Sequence, residues 1–283
     1  MQRIVVGVDG SPHADRALAW AVREAEKRLA AVDILHCYVV HARGVVMYVP
    51  DQERADARLD AIVERNLHML DRVKWSAGVM GVFNAPSAGL VDAGEGADLI
   101  VVGARGAGGF PRLRLGSTGY RTAAHATAPV VVVPDGDRGA LAAPTEVTVG
   151  VDGSQVARRA ARWAVDEATY HDIPLTVVHA HRLPVDAAPP DTSDDREGQA
   201  PTRAREQAEE AVRDALDGVD VSAIEVTQTV ADSTPAEALL SQTGPDRLLV
   251  VGTHGRGALG RMVFGSVSHQ CLHHADGPVV VVP

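Results

Sequence analysis

The sequence is poor in several things, and each shortage excludes a class of protein. Its 283 residues include two cysteines, Cys37 and Cys271, with no CxxC pair. That count leaves no disulfide framework and no thiolate zinc site. Lysine occurs twice, at Lys27 and Lys74, and neither stands in a glycine-rich loop. With no G-x4-G-K-[ST] stretch, a P-loop triphosphatase is excluded, and the lack of an S-G-G-x-D-S stretch disfavours the ATP pyrophosphatases. Basic charge is also short. The 27 Lys+Arg against 37 Asp+Glu leave a net charge of −10, the reverse of the basic surface that sequence-independent nucleic-acid binding requires. No apolar run reaches the roughly 20 residues that span a bilayer. Met1-Gln2-Arg3-Ile4 enters a strand pattern directly, without a signal-peptide hydrophobic region. These absences predict a cytoplasmic chain that binds neither nucleic acid nor membrane.

What is present is a repeat. IVVGVDGS (4–11) returns as VTVGVDGS (147–154), and ALAWAVREAE (17–26) as AARWAVDEAT (160–169). DLIVVGARGAGGF (98–110) returns as RLLVVGTHGRGAL (247–259), and PVVVVP closes both copies at 129–134 and 278–283. The offset grows from 143 to 149 residues, far beyond a solenoid repeat, so one domain is duplicated. The expected domains are 1–137 and 143–283, joined by a linker around 135–144. Hydrophobic residues make up 46%, which supplies a core and excludes global disorder.

Within each copy, short uniformly apolar strands alternate with helical patterns. Ser11-Pro12 and Ser154 open helices as N-caps. Strands are expected at 4–8, 33–40, 79–83, 99–102 and 130–133, with counterparts including 175–180, 222–230 and 248–251. Longer helices are expected at about 52–74 and 201–217, and a mobile loop at 184–202. Strands apolar on both faces belong to parallel sheets covered by helices. The fold class is therefore α/β, as two tandem doubly wound five-stranded parallel sheets of Rossmann-like type.

In such sheets ligands sit beyond the strand carboxyl ends, where the strand order reverses. The first strand ends on Gly7 and Asp9, repeated as Gly150 and Asp152. The fourth strand enters a loop of pattern G-x2-G-x9-G-S in both copies, GARGAGGFPRLRLGST (103–118) and GTHGRGALGRMVFGSV (252–267). Gly103 and Gly252 leave room for a nucleotide sugar, while Gly106 and Gly255 permit the turn around phosphate. Gly116-Ser117 and Gly265-Ser266 open a helix whose first N–H groups, hydroxyl and positive dipole end suit an anion. Asp9 or Asp152 would meet a ribose hydroxyl or help hold Mg²⁺. Both loops follow the fourth strand instead of the first, which disfavours a dinucleotide fingerprint.

Together, GVDGS, the glycine loop and PVVVVP resemble the universal stress protein family in its tandem form. The resemblance covers almost the whole chain and implies ATP, with Mg²⁺ accompanying it, in each domain. By position it implies contacts at Gly7, Asp9, Gly103, Ala104, Arg105, Gly106, Ala107, Gly108, Gly109, Gly116, Ser117 and Thr118. In the second copy the positions are Gly150, Asp152, Gly252, Thr253, His254, Gly255, Arg256, Gly257, Ala258, Gly265, Ser266, Val267 and Ser268. It also implies an adenine pocket at Val39–His41 and His179–His181. Ser268 replaces Gly119, so the missing hydroxyl is expected to weaken phosphate binding in the first copy.

Arg105, Arg112, Arg114, His254, Arg256 and Arg261 stand in or beside the loops, able to offset phosphate charge or to form a solvated face. His179/His181 and His273/His274 lack a third ligand at a recognisable spacing, which favours non-metal roles. Cys37 and Cys271 read as core thiols, and Trp20 and Trp163 as helix–sheet packing. Three classes of function stay open on this reading. They are a nucleotide-dependent regulator, a slow Mg-dependent ATPase, and a scaffold with vestigial loops or a cyclic-AMP binder. The apolar PVVVVP strands are expected to pair the two copies, since bare edges are usually covered. A homodimer of whole chains is also expected. The net charge belongs to the second copy, and −7 of it (11 acidic, 4 basic) lies in residues 185–220, the expected place for a protein partner.

Overall fold

The computed structural model describes residues 2–43, 46–48, 52–83, 85–107, 114–135, 143–180, 200–255 and 264–283. The first copy runs β1 (Arg3–Gly7), α1 (Pro12–Arg28), β2 (Ala31–Val39), β3 (His41–Arg43), β4 (Val46–Tyr48) and α2 (Gln52–Leu70). It continues with β5 (Lys74–Val82), α3 (Pro86–Ala93), β6 (Leu99–Gly103), α4 (Ser117–His125) and β7 (Val130–Val133). The second runs β8 (Glu146–Gly150), α5 (Gln155–His171), β9 (Leu175–Ala180), α6 (Ala200–Leu216) and β10 (Val226–Ala231). It ends with α7 (Pro235–Leu240), β11 (Arg247–Gly252), α8 (Ser266–His274) and β12 (Val279–Val282).

Each copy supplies five parallel strands, in the order β7-β6-β1-β2-β5 and β12-β11-β8-β9-β10. Outward from β1 the crossovers run one way to β2 and β5, and the other way to β6 and β7. The order in which strands are added reverses between β1 and β6, so a crevice opens there. The two sheets join edge to edge. β7 and β12 pair antiparallel, Val130 with Val281, Val131 with Val280 and Val132 with Val279, making one ten-stranded sheet. The expected pairing of the PVVVVP segments is thus present, and it removes two bare apolar edges.

Helices cover both faces. On one face α1, α2, α5 and α6 bury Leu18, Trp20, Ile62, Ala164 and Val212 against Ile4, Val149 and Val250. On the other face α3, α4, α7 and α8 bury Leu90, Ala123, Leu239 and Cys271 against Ile100, Val132 and Val281. Both layers run through the two copies without interruption. α1 begins as expected, with the Ser11 hydroxyl accepting from Ala14 N at 3.2 Å and proline following. α5 begins the same way, Ser154 accepting from Ala157 N at 3.1 Å.

Three expectations shift. α2 stops at Leu70, and Lys74, expected in the helix, starts the longer strand β5. β5 is an end strand whose first four residues are exposed, so it lacks the continuous apolar run that betrays an interior strand. The β3–β4 hairpin carries no recognised signal. Trp163 is only partly buried, unlike Trp20, and packs against the core with the Arg28 guanidinium over its ring at 5.5 Å.

That arginine belongs to a polar group buried where α1 meets α5. Arg28 donates to Glu24 and to Glu167 of the other copy. His171 Nε2 stands 2.9 Å from Glu24 Oε2 and 3.4 Å from Glu167 Oε1. Burial pushes the His171 pKa down, but the two carboxylates outweigh it and raise the value to about 9. Burial and the neighbouring Glu24 charge raise that of Glu167. Glu24 is pushed up by burial, yet its hydrogen bond with His171 and the Arg28 charge hold it below its usual value.

Candidate functional site

Each crevice is a pocket at the switch point, with a cavity volume of about 340 Å³ in the first copy and about 680 Å³ in the second. The first is bounded by the end of β1 (Gly7, Asp9), the loop from Gly103 to Ala107, and Gly116, Ser117 and Thr118 at the start of α4. The second is bounded by Gly150, Asp152, Gly252, His254, Gly255, Gly265, Ser266, Val267 and Ser268. Residues about 100 positions apart in sequence are gathered because β1 pairs with β6 and β8 with β11. Thr253 points elsewhere, its hydroxyl meeting His254 Nδ1 at 3.0 Å. Gly108, Gly109, Arg112, Arg256, Gly257, Ala258, Arg261 and His181 lie outside the described residues.

The helix starts are the most telling part. α1, α5 and α7 are capped by the hydroxyls of Ser11, Ser154 and Thr234. α4 and α8 begin on Gly116 and Gly265, which have no side chain to accept from the first turn. Their opening N–H groups therefore face the pockets without a side-chain cap, and a helix start in that state attracts an anion. Backbone bonds fix both glycines in place, Gly116 N to Ala104 O at 2.6 Å and Gly265 N to Thr253 O at 2.7 Å.

Asp9 ties the first strand to the glycine loop. Its Oδ1 accepts from Ser11 N at 3.0 Å and its Oδ2 from Ala107 N at 2.6 Å. Asp152 Oδ1 accepts from Ser154 N at 2.9 Å. The aspartate thus shapes the loop as well as facing the pocket. Gly10 and Gly153 follow at φ 81° and 78°, a turn that L-residues rarely adopt. The sequence reading did not single out either glycine as part of the site.

Several expected roles change. A Cβ on Gly103 would stand 2.7 Å from the His13 backbone oxygen, and one on Gly252 2.6 Å from Val156 Cγ1. These glycines let β6 and β11 press against α1 and α5, and both also line the pockets. A Cβ on Gly106 would stand 2.5 Å from Asp9 Oδ2, so that glycine makes room for the aspartate. The Ser268 hydroxyl donates to Gly252 O at 2.5 Å, anchoring α8 to β11. Arg105 pairs with Asp135, which also meets Arg16 and His13, so the group keeps a net positive charge beside the first pocket. Arg114 lines a separate cavity between the copies, with His273 and Asp276.

The wall from the second strand moves in the first copy, while in the second Ala180 falls within the expected 179–181. Leu35 and Cys37 line the first pocket, in place of Val39–His41, and Val178 and Ala180 line the second. The register explains this, since Gly7 pairs with Leu35 and Gly150 with Val178. Burial, helped by the Asp92 charge, pushes the Cys37 thiol up to about 12, and burial alone does the same to Cys271. Cys271 is the core thiol expected, whereas Cys37 is a pocket wall. The opposite wall is Pro86 and Leu90 of α3, matched by Pro235 and Leu239 of α7. These were missed, although a proline opening a short apolar helix in both copies is a readable signal. Among the described residues, His179, His273 and His274 stand in no group of three potential metal ligands. The group of three that could ligate is Glu24, Glu167 and His171, which Arg28 already occupies.

Comparison with known proteins agrees with this geometry. The model of the universal stress protein family matches residues 1–134 and again 145–283. The chain belongs to the universal stress protein family. A universal stress protein of Mycolicibacterium smegmatis is 31% identical over 293 residues, covering 99% of this chain and 96% of its own. Universal stress protein Rv2623 of Mycobacterium tuberculosis is 30% identical over 296 residues, covering 98% and 95%. In fold, the chain is similar to the crystal structure of a universal stress protein from Archaeoglobus fulgidus, with a TM-score of 0.64 at 20% identity over 99% of this chain and 95% of that one. Tandem universal stress protein domains in one α/β sheet are therefore the architecture. No helix of the described residues is long and apolar enough to cross a membrane.

Proposed function

We propose that this universal stress protein binds adenine nucleotide, ATP foremost, in each domain and acts as a nucleotide-dependent regulator of a stress or growth response. The observation that carries the reading is the pair of glycine-started helices, α4 and α8. Each opens without a side-chain cap into a pocket at the sheet's switch point. The polar end would take the phosphates and the apolar end, at Leu90 or Leu239, the base. Both volumes lie within or near the roughly 300–1,000 Å³ of small-molecule sites. Asp9 and Asp152 suit a Mg²⁺ carried in with the nucleotide, because such an ion keeps several waters and needs one carboxylate. The chain would work in the cytoplasm.

Denaturing the purified protein and identifying released nucleotide by mass spectrometry tests the ligand, and calorimetric titration with Mg·ATP tests the sites. Two binding events per chain are expected. Recovery of no nucleotide together with no heat of binding defeats the reading and leaves a scaffold.

A further inference from the structure

One wall of the second pocket comes from the other domain. Tyr120 stands on α4 of the first domain, yet it lines the second-domain pocket beside Gly265, Ser266 and His269. Its ring meets Phe264 edge-on with centroids 5.2 Å apart, and His269 likewise at 5.5 Å. Phe264 directly precedes the glycine that starts α8, and His269 lies in that helix, so Tyr120 borders the anion-facing end. Among the described residues no hydrogen bond holds its hydroxyl. The arrangement is not reciprocal. His269 is the repeat counterpart of Tyr120, but it lines its own domain's pocket, and the first pocket is lined by first-domain residues alone among those described. The same short helix thus serves both sites. Ser117 and Thr118 face the first pocket, and Tyr120, whose N–H bonds to Gly116 O at 3.1 Å, faces the second.

We propose that the second-domain nucleotide site is composite, completed by Tyr120 of the first domain, and that the two sites of the chain are therefore unequal. A phenol offers a flat apolar wall that excludes water and one O–H donor for a phosphate oxygen. Among the described residues, the first site has no counterpart to either. The inference rests on the nucleotide reading above and goes beyond it, because it assigns the second site a residue that the repeat does not predict.

The test uses the full chain with one site closed at a time, Gly106→Ala closing the first and Gly255→Ala the second. In the Gly106→Ala background, Tyr120→Ala is expected to weaken ATP binding about tenfold, the scale of an aromatic contact. In the Gly255→Ala background it should change affinity less than about twofold. Tyr120→Leu keeps apolar bulk and should repeat the pattern if the alanine variant folds poorly. Unchanged affinity at the second site, or an equal loss at both, overturns the composite site while leaving nucleotide binding intact. Absence of binding by the unsubstituted chain instead defeats the nucleotide reading, and the composite site with it.

Discussion

At the scale of single residues, function and packing compete for the same glycines. Gly106 has no room for a methyl group because Asp9 fills the space, and Asp9 is itself held by Ser11 and Ala107. Gly106→Ala should push the carboxylate off Ala107 N and reshape the loop, abolishing ATP binding at the first site. Calorimetry on the Gly255→Ala background isolates that site, and unaltered binding there would refute the assignment. Leu29 gives a contrasting prediction. It ends α1 at φ 54° with 83% of its surface exposed, so it has the strain of a left-handed residue and little packing to lose. Leu29→Gly is expected to stabilise the chain by about 1 kcal/mol, read as a higher thermal midpoint.

At the scale of elements, the contrast is between helices that cap themselves and helices that do not. Ser11 caps α1, and Ser11→Ala should cost about 1 kcal/mol of stability without closing a pocket. α4 has no such cap, and its exposed first residue, Ser117, faces the ligand space. Ser117→Asp places a carboxylate where the helix dipole favours it, so folding should be unharmed. The same carboxylate should repel phosphate and lower ATP affinity at the first site about tenfold or more. Equal loss for ATP and for uncharged adenosine would show that the helix start does not hold the phosphates.

At the scale of the whole molecule, the joints between the copies include the β7–β12 ladder and the buried group around Arg28. Arg28 and protonated His171 balance Glu24 and Glu167, with Tyr170 and Trp163 against the guanidinium. The folded His171 pKa of about 9 lies above its ordinary value of 6.5. Its contribution to stability is therefore full below pH 6.5 and is lost as pH rises through 9. The thermal midpoint should fall across that window, and His171→Gln should flatten the decline. Glu167→Ala leaves Arg28 buried with one partner fewer and should cost about 3 kcal/mol. A midpoint independent of pH between 6.5 and 9 would remove His171 from the joint.

The sequence by itself determined the duplication, the parallel α/β class and the two glycine loops. Each of these is a local pattern of apolar runs, N-caps and spacings, repeated so that chance is discounted. It also named most of the pocket residues, because Asp9, Gly103 and Gly116 lie at strand ends and helix starts that can be read in one dimension. It did not show the packing partners of Gly103, Gly106 and Ser268, which are brought up by the sheet and not by the chain. Only the tertiary structure decided that Leu35 and Cys37, not Val39–His41, wall the first pocket, since that depends on strand register. Likewise, a buried Arg28 between two distant glutamates and Tyr120 at the second pocket arise from packing one copy against the other. Repeats fix what each copy is, but the contacts between copies are set by the relative placement of surfaces, which no residue spacing encodes.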